Sequence, residues 1–137
     1  MGGEMNDKVR AQRVLVVDDD MLMREVLKAI LRSEGFTVAG EATDGQGGLA
    51  LVERLRPSAV CLDVNMPGIS GLDTLKILRD KFPEVRVVMI TGDASMSTVR
   101  DAVSLGAVGY IIKPFNAGRV ADALRAAFRP TGDSLPS

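Results

Sequence analysis

Four short apolar segments of this chain each end at a side chain that can do chemistry. Two end at the carboxylates Asp18 and Asp63, and two end at the hydroxyl of Thr91 and the ammonium group of Lys113. An apolar segment without alternation is typical of a strand that is buried on both faces of a parallel sheet. Because ligands bind where the carboxyl ends of such strands meet, we expect these four side chains to converge on one pocket.

Three consecutive acids, Asp18, Asp19 and Asp20, follow the first apolar segment. Helix capping is one explanation, because Asp is favoured at the N-cap and near the positive end of a helix, and it suits Asp20. Clustered carboxylates repel one another, however, and a divalent cation relieves that repulsion. Hard oxygen ligands in a chain without histidine favour Mg²⁺ over zinc, with Mn²⁺ as a second candidate. Asp18, Asp19 and Asp63 are the candidate metal ligands.

Asp63 is also the candidate nucleophile. The ordinary explanation is a turn-forming residue, but the eight residues that follow include a proline and two glycines that constrain the loop. A carboxylate can attack phosphorus to form an aspartyl phosphate, and the phosphoryl oxygens then need a metal ion and cationic partners. Lys113 suits that task and the Thr91 hydroxyl could donate to another oxygen. Singly, Lys113 is explained as a surface lysine and Thr91 as a strand-end turn residue.

The residue after Lys113 is Pro114. Bonds that precede proline are the ones with an appreciable cis population. We hypothesise a cis Lys113–Pro114 bond that turns the ammonium group back into the pocket.

Composition excludes several classes of protein. The 137 residues suit one domain, and a net charge of −1 gives no electrostatic case for binding nucleic acid or a membrane surface. There is no apolar stretch near the ~18 residues of a membrane span, and no signal-peptide pattern. The single cysteine, Cys61, is expected to be a buried small hydrophobe. These features fit a reducing cytoplasm.

Periodicity predicts five strands that alternate with five helices. The strands are expected at 14–17, 37–42, 59–62, 85–90 and 109–112. The helices are expected over a stripe formed by Met21, Leu22, Val26, Ile30 and Leu31, then at about 48–55, around 72–78, at roughly 95–105, and over Val120, Leu124 and Phe128. This alternation predicts right-handed βαβ crossovers with helices on both faces of the sheet.

Glycines and the chain ends complete the expected organisation. Gly35 and Gly106 are placed just past two helices, where a left-handed cap belongs, and residues 45–48 are interpreted as a flexible turn. Residues 1–12 are expected to form a flexible arm and 129–137 a tail or linker, which leaves 13–128 as the domain.

Four motifs stand at the strand ends, and together they are highly specific. They are Val16-Val17-Asp18-Asp19-Asp20, Asp63-x-x-Met66-Pro67-x-x-Ser70-Gly71, Thr91-Gly92 and Tyr110-x-x-Lys113-Pro114-Phe115. With these motifs the chain resembles the receiver domain of bacterial two-component response regulators, over about residues 13–128. The resemblance implies a doubly wound, flavodoxin-like (βα)₅ three-layer fold with a parallel sheet in the order 2-1-3-4-5, an order known for the chemotaxis receiver.

The resemblance also implies roles for individual residues. Asp63 is the phosphoacceptor, which takes a phosphoryl group from a sensor histidine kinase or a histidine phosphotransfer protein. Asp18, Asp19 and Asp63 hold Mg²⁺ together with the backbone carbonyl of Asn65. Lys113 and Thr91 contact the phosphoryl group, and Tyr110 is an aromatic switch. Such a domain is no enzyme beyond its own phosphorylation and dephosphorylation.

The implied output surface is the fourth helix, fifth strand and fifth helix, roughly residues 95–128. It would meet an output domain, a target protein or, as a further candidate, a second copy after phosphorylation. Asn65 and Asp93 each follow a site residue by two positions, so we predict that they tune the lifetime of the phosphate by orienting or repelling water.

Two other functions stay open at this point. One is a non-catalytic module in which the acids hold a structural cation. The other is an aspartyl-phosphate phosphohydrolase, which is less favoured because enzymes similar to haloacid dehalogenases need a second acid where this chain has Asn65.

Overall fold

A computed structural model describes residues 12–129 of the chain, which form a parallel sheet between two layers of helices. The strands are β1 (Arg13–Val17), β2 (Thr37–Ala42), β3 (Ala59–Leu62), β4 (Arg86–Thr91) and β5 (Gly109–Ile112). The helices are α1 (Met21–Ser33), α2 (Gly45–Leu55), α3 (Gly71–Lys81), α4 (Met96–Ser104) and α5 (Ala117–Phe128). The predicted arm and tail fall almost wholly outside the described residues. Within those residues, no helix is long and apolar enough to cross a membrane.

The sheet order is β2-β1-β3-β4-β5 and every pair of neighbouring strands is parallel, which confirms the predicted fold. Val17 pairs with Leu62, so β1 and β3 end at the same level, and β4 continues for two residues past Met89, the partner of Leu62. The chain reverses its direction of progress across the sheet between β1 and β3. In open α/β sheets that reversal leaves a crevice at the carboxyl ends of the two strands.

Each face of the sheet has its own apolar core. Alternate residues of a strand point to opposite faces, so Leu15 and Val17 pack under α2 and α3, whereas Val14 and Val16 pack under α1 and α5. The central strands are buried on both faces, as their unbroken apolar sequences predict.

The fifth strand departs from that prediction. β5 lies at the edge of the sheet, with β4 as its only neighbour among the described strands. Ile111 is buried, but Tyr110 is half-buried and Ile112 is 41% exposed. The apolar segment therefore predicts the strand correctly, but it does not predict that one face of the strand is partly exposed.

The predicted stripe of α1 is wrong in its first turns. Met21 and Leu22 are largely exposed, at 69% and 71%. The stripe that packs on the sheet is instead Met23, Leu27 and Leu31. Both sets have helical spacing, and the packing of α1 against β1, β2 and α5 decides which set is covered.

The turn predicted at residues 45–48 is also wrong, because these residues are the first turn of α2. The Asp44 carboxylate accepts a hydrogen bond from the Gly47 backbone at 2.7 Å and caps the helix. A Cβ on Gly48 would lie 3.0 Å from the Val17 side chain. Glycine here permits close packing on β1, at the cost of low helix propensity. The caps at Gly35 and Gly106 are confirmed, with φ angles of 89° and 100°.

Candidate functional site

Three carboxylates converge at the carboxyl edge of the sheet. Asp18, Asp19 and Asp63 each present one oxygen, and these oxygens all lie within 4.8 Å of one another. Asp18 and Asp63 are 1% and 6% exposed, whereas Asp19 faces solvent. Burial of two like charges is unfavourable unless a partner compensates them, so these two acids need a positive charge nearby.

Backbone hydrogen bonds continue the sheet for one residue past its strands and fix both buried acids. The Asp18 N–H donates to the Ala42 carbonyl at 3.1 Å, and the Asp63 N–H donates to the Val17 carbonyl at 3.1 Å. Because each acid is held by a neighbouring strand, the spacing of the carboxylates follows from the spacing of the strands.

Lys113 supplies a positive charge to this cluster. Its bond to Pro114 is cis, and its Nζ lies 2.9 Å from Asp18 Oδ2 and 3.2 Å from Asp63 Oδ2. Its backbone N–H donates to the Thr91 carbonyl at 2.8 Å, which ties the lysine to the end of β4.

The charges of the cluster perturb one another. Burial raises the pKa of Asp18, and the hydrogen bond from Lys113 only partly opposes that rise. Burial alone would lower the pKa of Lys113, but the hydrogen bond and charge of Asp18, with those of Asp63, raise it overall. Lys113 therefore stays charged at neutral pH.

The donor set fits a hard divalent cation. Three carboxylates and one ammonium group leave two negative charges unbalanced. The cluster offers oxygen ligands, and Asp19 keeps it open to solvent. Mg²⁺ prefers such oxygens and retains several waters when it binds.

The loop after Asp63 folds tightly against it. The Asn65 N–H donates to Asp63 Oδ1 at 3.2 Å, and the Asn65 side chain is exposed. The Gly71 N–H donates to the Val64 carbonyl at 2.7 Å. A Cβ on Gly71 would lie only 2.0 Å from the Asp63 carbonyl oxygen, so α3 begins this close to Asp63 because residue 71 has no side chain.

Thr91 and Tyr110 meet at Asp93. The Thr91 side chain is fully buried, and its Oγ1 accepts a hydrogen bond from the Asp93 N–H at 3.3 Å. The Tyr110 hydroxyl donates to the Asp93 carbonyl at 2.5 Å. The two candidate switch residues therefore contact the same residue of the loop that follows β4.

The Asp93 carboxylate itself is committed to the start of α4. It accepts hydrogen bonds from the Ser95 N–H at 3.0 Å, the Ser95 hydroxyl at 2.7 Å and the Thr98 hydroxyl at 3.0 Å. These bonds, the backbone one foremost, lower the pKa of Asp93. The prediction that Asp93 lies near the phosphate does not include these bonds to the N-cap residue Ser95 and to Thr98, although the Asp-x-Ser pattern is a recognisable turn signal.

Sequence reasoning also misses Arg24. Its Nη1 donates to the Asp18 carbonyl at 2.9 Å, from the second turn of α1. No sequence motif predicts this contact, because it depends on how α1 packs against the edge of the sheet.

A comparison with protein families agrees with this geometry. The sequence model of the response regulator receiver domain matches residues 14–125. The chain belongs to this family. Receiver domains are the signalling domains of two-component systems, and they bind Mg²⁺ at an acidic pocket.

Individual relatives of this receiver include a chemotaxis protein and a DNA-binding response regulator. It is 36% identical to the chemotaxis protein CheY of Thermotoga maritima over 113 residues, which are 82% of this chain and 94% of that protein. It is 39% identical to the DNA-binding response regulator MtrA of Mycolicibacterium paratuberculosis over 122 residues, which are 89% of this chain and 53% of that protein.

Solved structures share the fold of this receiver. The CheX–CheY–BeF₃–Mg complex from Borrelia burgdorferi contains a chain that superposes with a TM-score of 0.83 at 28% identity, over 86% of this chain and 90% of that one. The response regulator domain of Thermotoga maritima CheB superposes with a TM-score of 0.78 at 32% identity, over 86% and 98% of the two chains.

Proposed function

We propose that Asp63 is a phosphoacceptor that takes a phosphoryl group from a phosphohistidine of a sensor histidine kinase or a histidine phosphotransfer protein, with Mg²⁺ required. The observation that carries this proposal is the environment of the Asp63 carboxylate. It is buried at a strand end, within 4.8 Å of two further carboxylates, and Lys113 Nζ lies 3.2 Å away. Membership of the receiver family supports the same role.

In the proposed step, a carboxylate oxygen of Asp63 forms a bond to phosphorus while the bond from phosphorus to the histidine nitrogen breaks. Bound Mg²⁺, held by Asp18, Asp19, Asp63 and the Asn65 carbonyl, would neutralise charge on the phosphoryl oxygens. Lys113 Nζ, which lies 3.2 Å from Asp63 Oδ2, would exchange a carboxylate partner for a phosphoryl oxygen. The Thr91 hydroxyl would donate to another oxygen.

Hydrolysis reverses the modification, and we propose that Asn65 and Asp93 set its rate. The Asn65 side chain is exposed two residues after Asp63, and it would orient or repel the water that attacks the acyl phosphate. The Asp93 carboxylate acts there only if it leaves its hydrogen bonds with Ser95 and Thr98. We therefore expect substitution of Asn65 to change the lifetime of the phosphate more than substitution of Asp93.

The proposed output surface comprises α4, β5 and α5. It carries three exposed apolar side chains, Met96, Val103 and Ile112, and exposed Val108 lies in the loop between α4 and β5. When Thr91 turns toward a phosphoryl group, Asp93 and Tyr110 move with it because all three are hydrogen-bonded together. This surface would then bind an output domain, a target protein or a second copy. We assign residues 13–128 to the receiver unit.

The proposal is tested by the intact mass of the chain after incubation with acetyl phosphate and MgCl₂. We expect the wild type to gain the mass of one phosphoryl group, and Asp63→Asn to gain none because the amide is a poor nucleophile. Chelation of the metal with EDTA should abolish the gain.

Asp80→Asn is the matched control, because Asp80 is an exposed acid on α3 outside the cluster. It should be modified as fully as the wild type. A wild type that gains no mass although MgCl₂ shifts the resonances of Asp18 and Asp19 would contradict the phosphoacceptor and favour the alternative of a cation-binding module.

A further inference from the structure

The side chain of Arg24 bridges the metal-site backbone and the edge strand of the sheet. Its Nη1 donates to the Asp18 carbonyl at 2.9 Å, and its Nε donates to Glu41 Oε1 at 2.8 Å. The side chain is only 11% exposed. Two different nitrogens of one planar guanidinium group thus hold two acceptors that lie 23 residues apart in sequence.

Glu41 holds the guanidinium group in place. It lies on β2, opposite Val16 of β1, and its carboxylate also accepts a hydrogen bond from Lys28. The hydrogen bonds from Lys28 and Arg24 lower the pKa of Glu41, so the carboxylate is charged at neutral pH. Lys28 belongs to this network without contact to Asp18 among the interactions of the described residues.

Asp18 is held at each of its polar positions. Its N–H donates to Ala42, one carboxylate oxygen accepts the Asp20 N–H at 2.9 Å, and the other accepts Lys113 at 2.9 Å. The carbonyl is the fourth position, and Arg24 occupies it. A bound cation would compete with Lys113 for the carboxylate, and the backbone contacts would then orient the side chain by themselves.

We propose that Arg24 is a positioning residue for the metal site, which acts by fixing the Asp18 main chain so that the carboxylate is oriented before the cation arrives. This inference rests on the proposed Mg²⁺ site. The competing explanation is an ordinary ion pair between α1 and β2 that stabilises the fold and has no effect on the metal.

The direction in which Mg²⁺ affinity changes when Arg24 is replaced separates a positioning role from an effect of its charge. Arg24 places a positive charge next to a cation site, so its removal strengthens Mg²⁺ binding if Coulomb repulsion dominates. If positioning dominates, its removal weakens binding, because partners that orient metal ligands contribute about tenfold or more to affinity.

The test is a titration of the ¹⁵N-labelled full chain with MgCl₂, followed through the amide resonances of residues 18–20 and 63. We expect Arg24→Met to weaken binding about tenfold. Lys28→Met disrupts the same Glu41 network and is expected to stay near the wild-type affinity. Unchanged or tighter binding in Arg24→Met would overturn the proposal.

Arg24→Lys carries the test if the methionine variant does not fold. A lysine keeps the positive charge beside Glu41, but its single nitrogen cannot reproduce the two-nitrogen bridge. We expect its Mg²⁺ affinity to fall as well, and wild-type affinity in this variant would overturn the bridge.

Amide exchange in the metal-free protein separates failure of this inference from failure of the proposed function. The Asp20 amide, which donates to the Asp18 carboxylate, should exchange faster in both Arg24 variants and at the wild-type rate in Lys28→Met. If the wild type binds no Mg²⁺, the proposed function fails, and exchange alone decides whether Arg24 positions Asp18. Equal exchange in all variants would overturn the inference.

Discussion

At the scale of single residues, the site is balanced around the Lys113 ammonium group. It compensates Asp18 and Asp63, which would otherwise be buried like charges. A bound metal ion would compete with Lys113 for the carboxylates, and a phosphoryl group on Asp63 would offer it new anionic oxygens. Lys113 would therefore exchange one anionic partner for another and would not be left unpaired. Such an exchange between equivalent partners costs little compared with the desolvation of a lone charge.

Tyr110 is the only tyrosine of the chain, so its ionisation can be followed by phenolate absorbance. Burial, and then the negative charges of Asp93 and Asp63, raise its pKa above the ordinary value of 10.0. We expect a spectrophotometric titration of the folded protein to give a midpoint above that value. The contribution of Tyr110 to the free energy of unfolding is fully present below the pKa that the tyrosine has in the unfolded chain. It is lost as the pH rises through the pKa of Tyr110 in the folded protein.

The same protein unfolded in urea is the control for this titration, because its tyrosine is free of Asp93 and Asp63. It should titrate at the ordinary value. Equal midpoints in the folded and unfolded chains would mean that the phenol is neither buried nor near those charges, and would contradict the position of Tyr110 described here.

At the scale of secondary-structure elements, the start of α3 is packed directly against the proposed phosphoacceptor. Gly71→Ala places a Cβ 2.0 Å from the Asp63 carbonyl oxygen and 2.6 Å from the Val64 Cα, and both are backbone atoms that cannot rotate away. The variant must shift the start of α3 away from Asp63, and we expect it to lose about 1–3 kcal/mol of unfolding free energy, as overpacked sites do. Urea unfolding followed by circular dichroism measures this loss.

Gly92→Ala serves as the control for that substitution. Gly92 also lies in a loop at the carboxyl edge of the sheet, but a Cβ there meets no atom within 4 Å. Its effect should stay within about 0.5 kcal/mol, the range of ordinary surface substitutions. A Gly71→Ala variant as stable as Gly92→Ala would show that α3 can move away from Asp63.

The elements that sequence predicts best are those whose signals are local. The apolar segments that end at Asp18 and Asp63 identify β1 and β3, because burial on both faces forbids polar residues within them. The cap at Gly106 follows from its need for a positive φ. These signals place the carboxylates at one edge, and the family resemblance supplies the strand order.

The elements that sequence predicts poorly depend on packing between distant segments. Residues 45–48 look like a turn, since glycine disfavours a helix, yet the Asp44 cap and close contact with Val17 make them helical. The exposed Met21 has helical spacing but faces solvent, because spacing does not say which side of α1 meets the sheet. The contact of Arg24 with Asp18 has no sequence signal for the same reason.

At the scale of the whole molecule, the fold brings three carboxylates that repel one another to one edge of the sheet. β1 and β3 are buried on both faces and hold their terminal acids rigidly, so the carboxylates cannot separate to relieve their repulsion. A cation that binds the folded state alone then stabilises the entire domain. In the metal-free protein, the carboxylates that function requires lower the stability of the fold. When a metal binds, the same carboxylates contribute to stability.

This linkage predicts that MgCl₂ raises the free energy of unfolding. At a concentration of about 100 times the dissociation constant, the gain should be about 2.7 kcal/mol for a single site, measured by urea unfolding against NaCl of matched ionic strength. Asp19→Asn should lose most of this gain, because it removes the solvent-facing ligand while it leaves the buried acids in place. Asp101→Asn, which removes an exposed acid on α4, should keep the gain in full. If both variants keep it, the metal binds elsewhere, and the three-carboxylate site would be excluded.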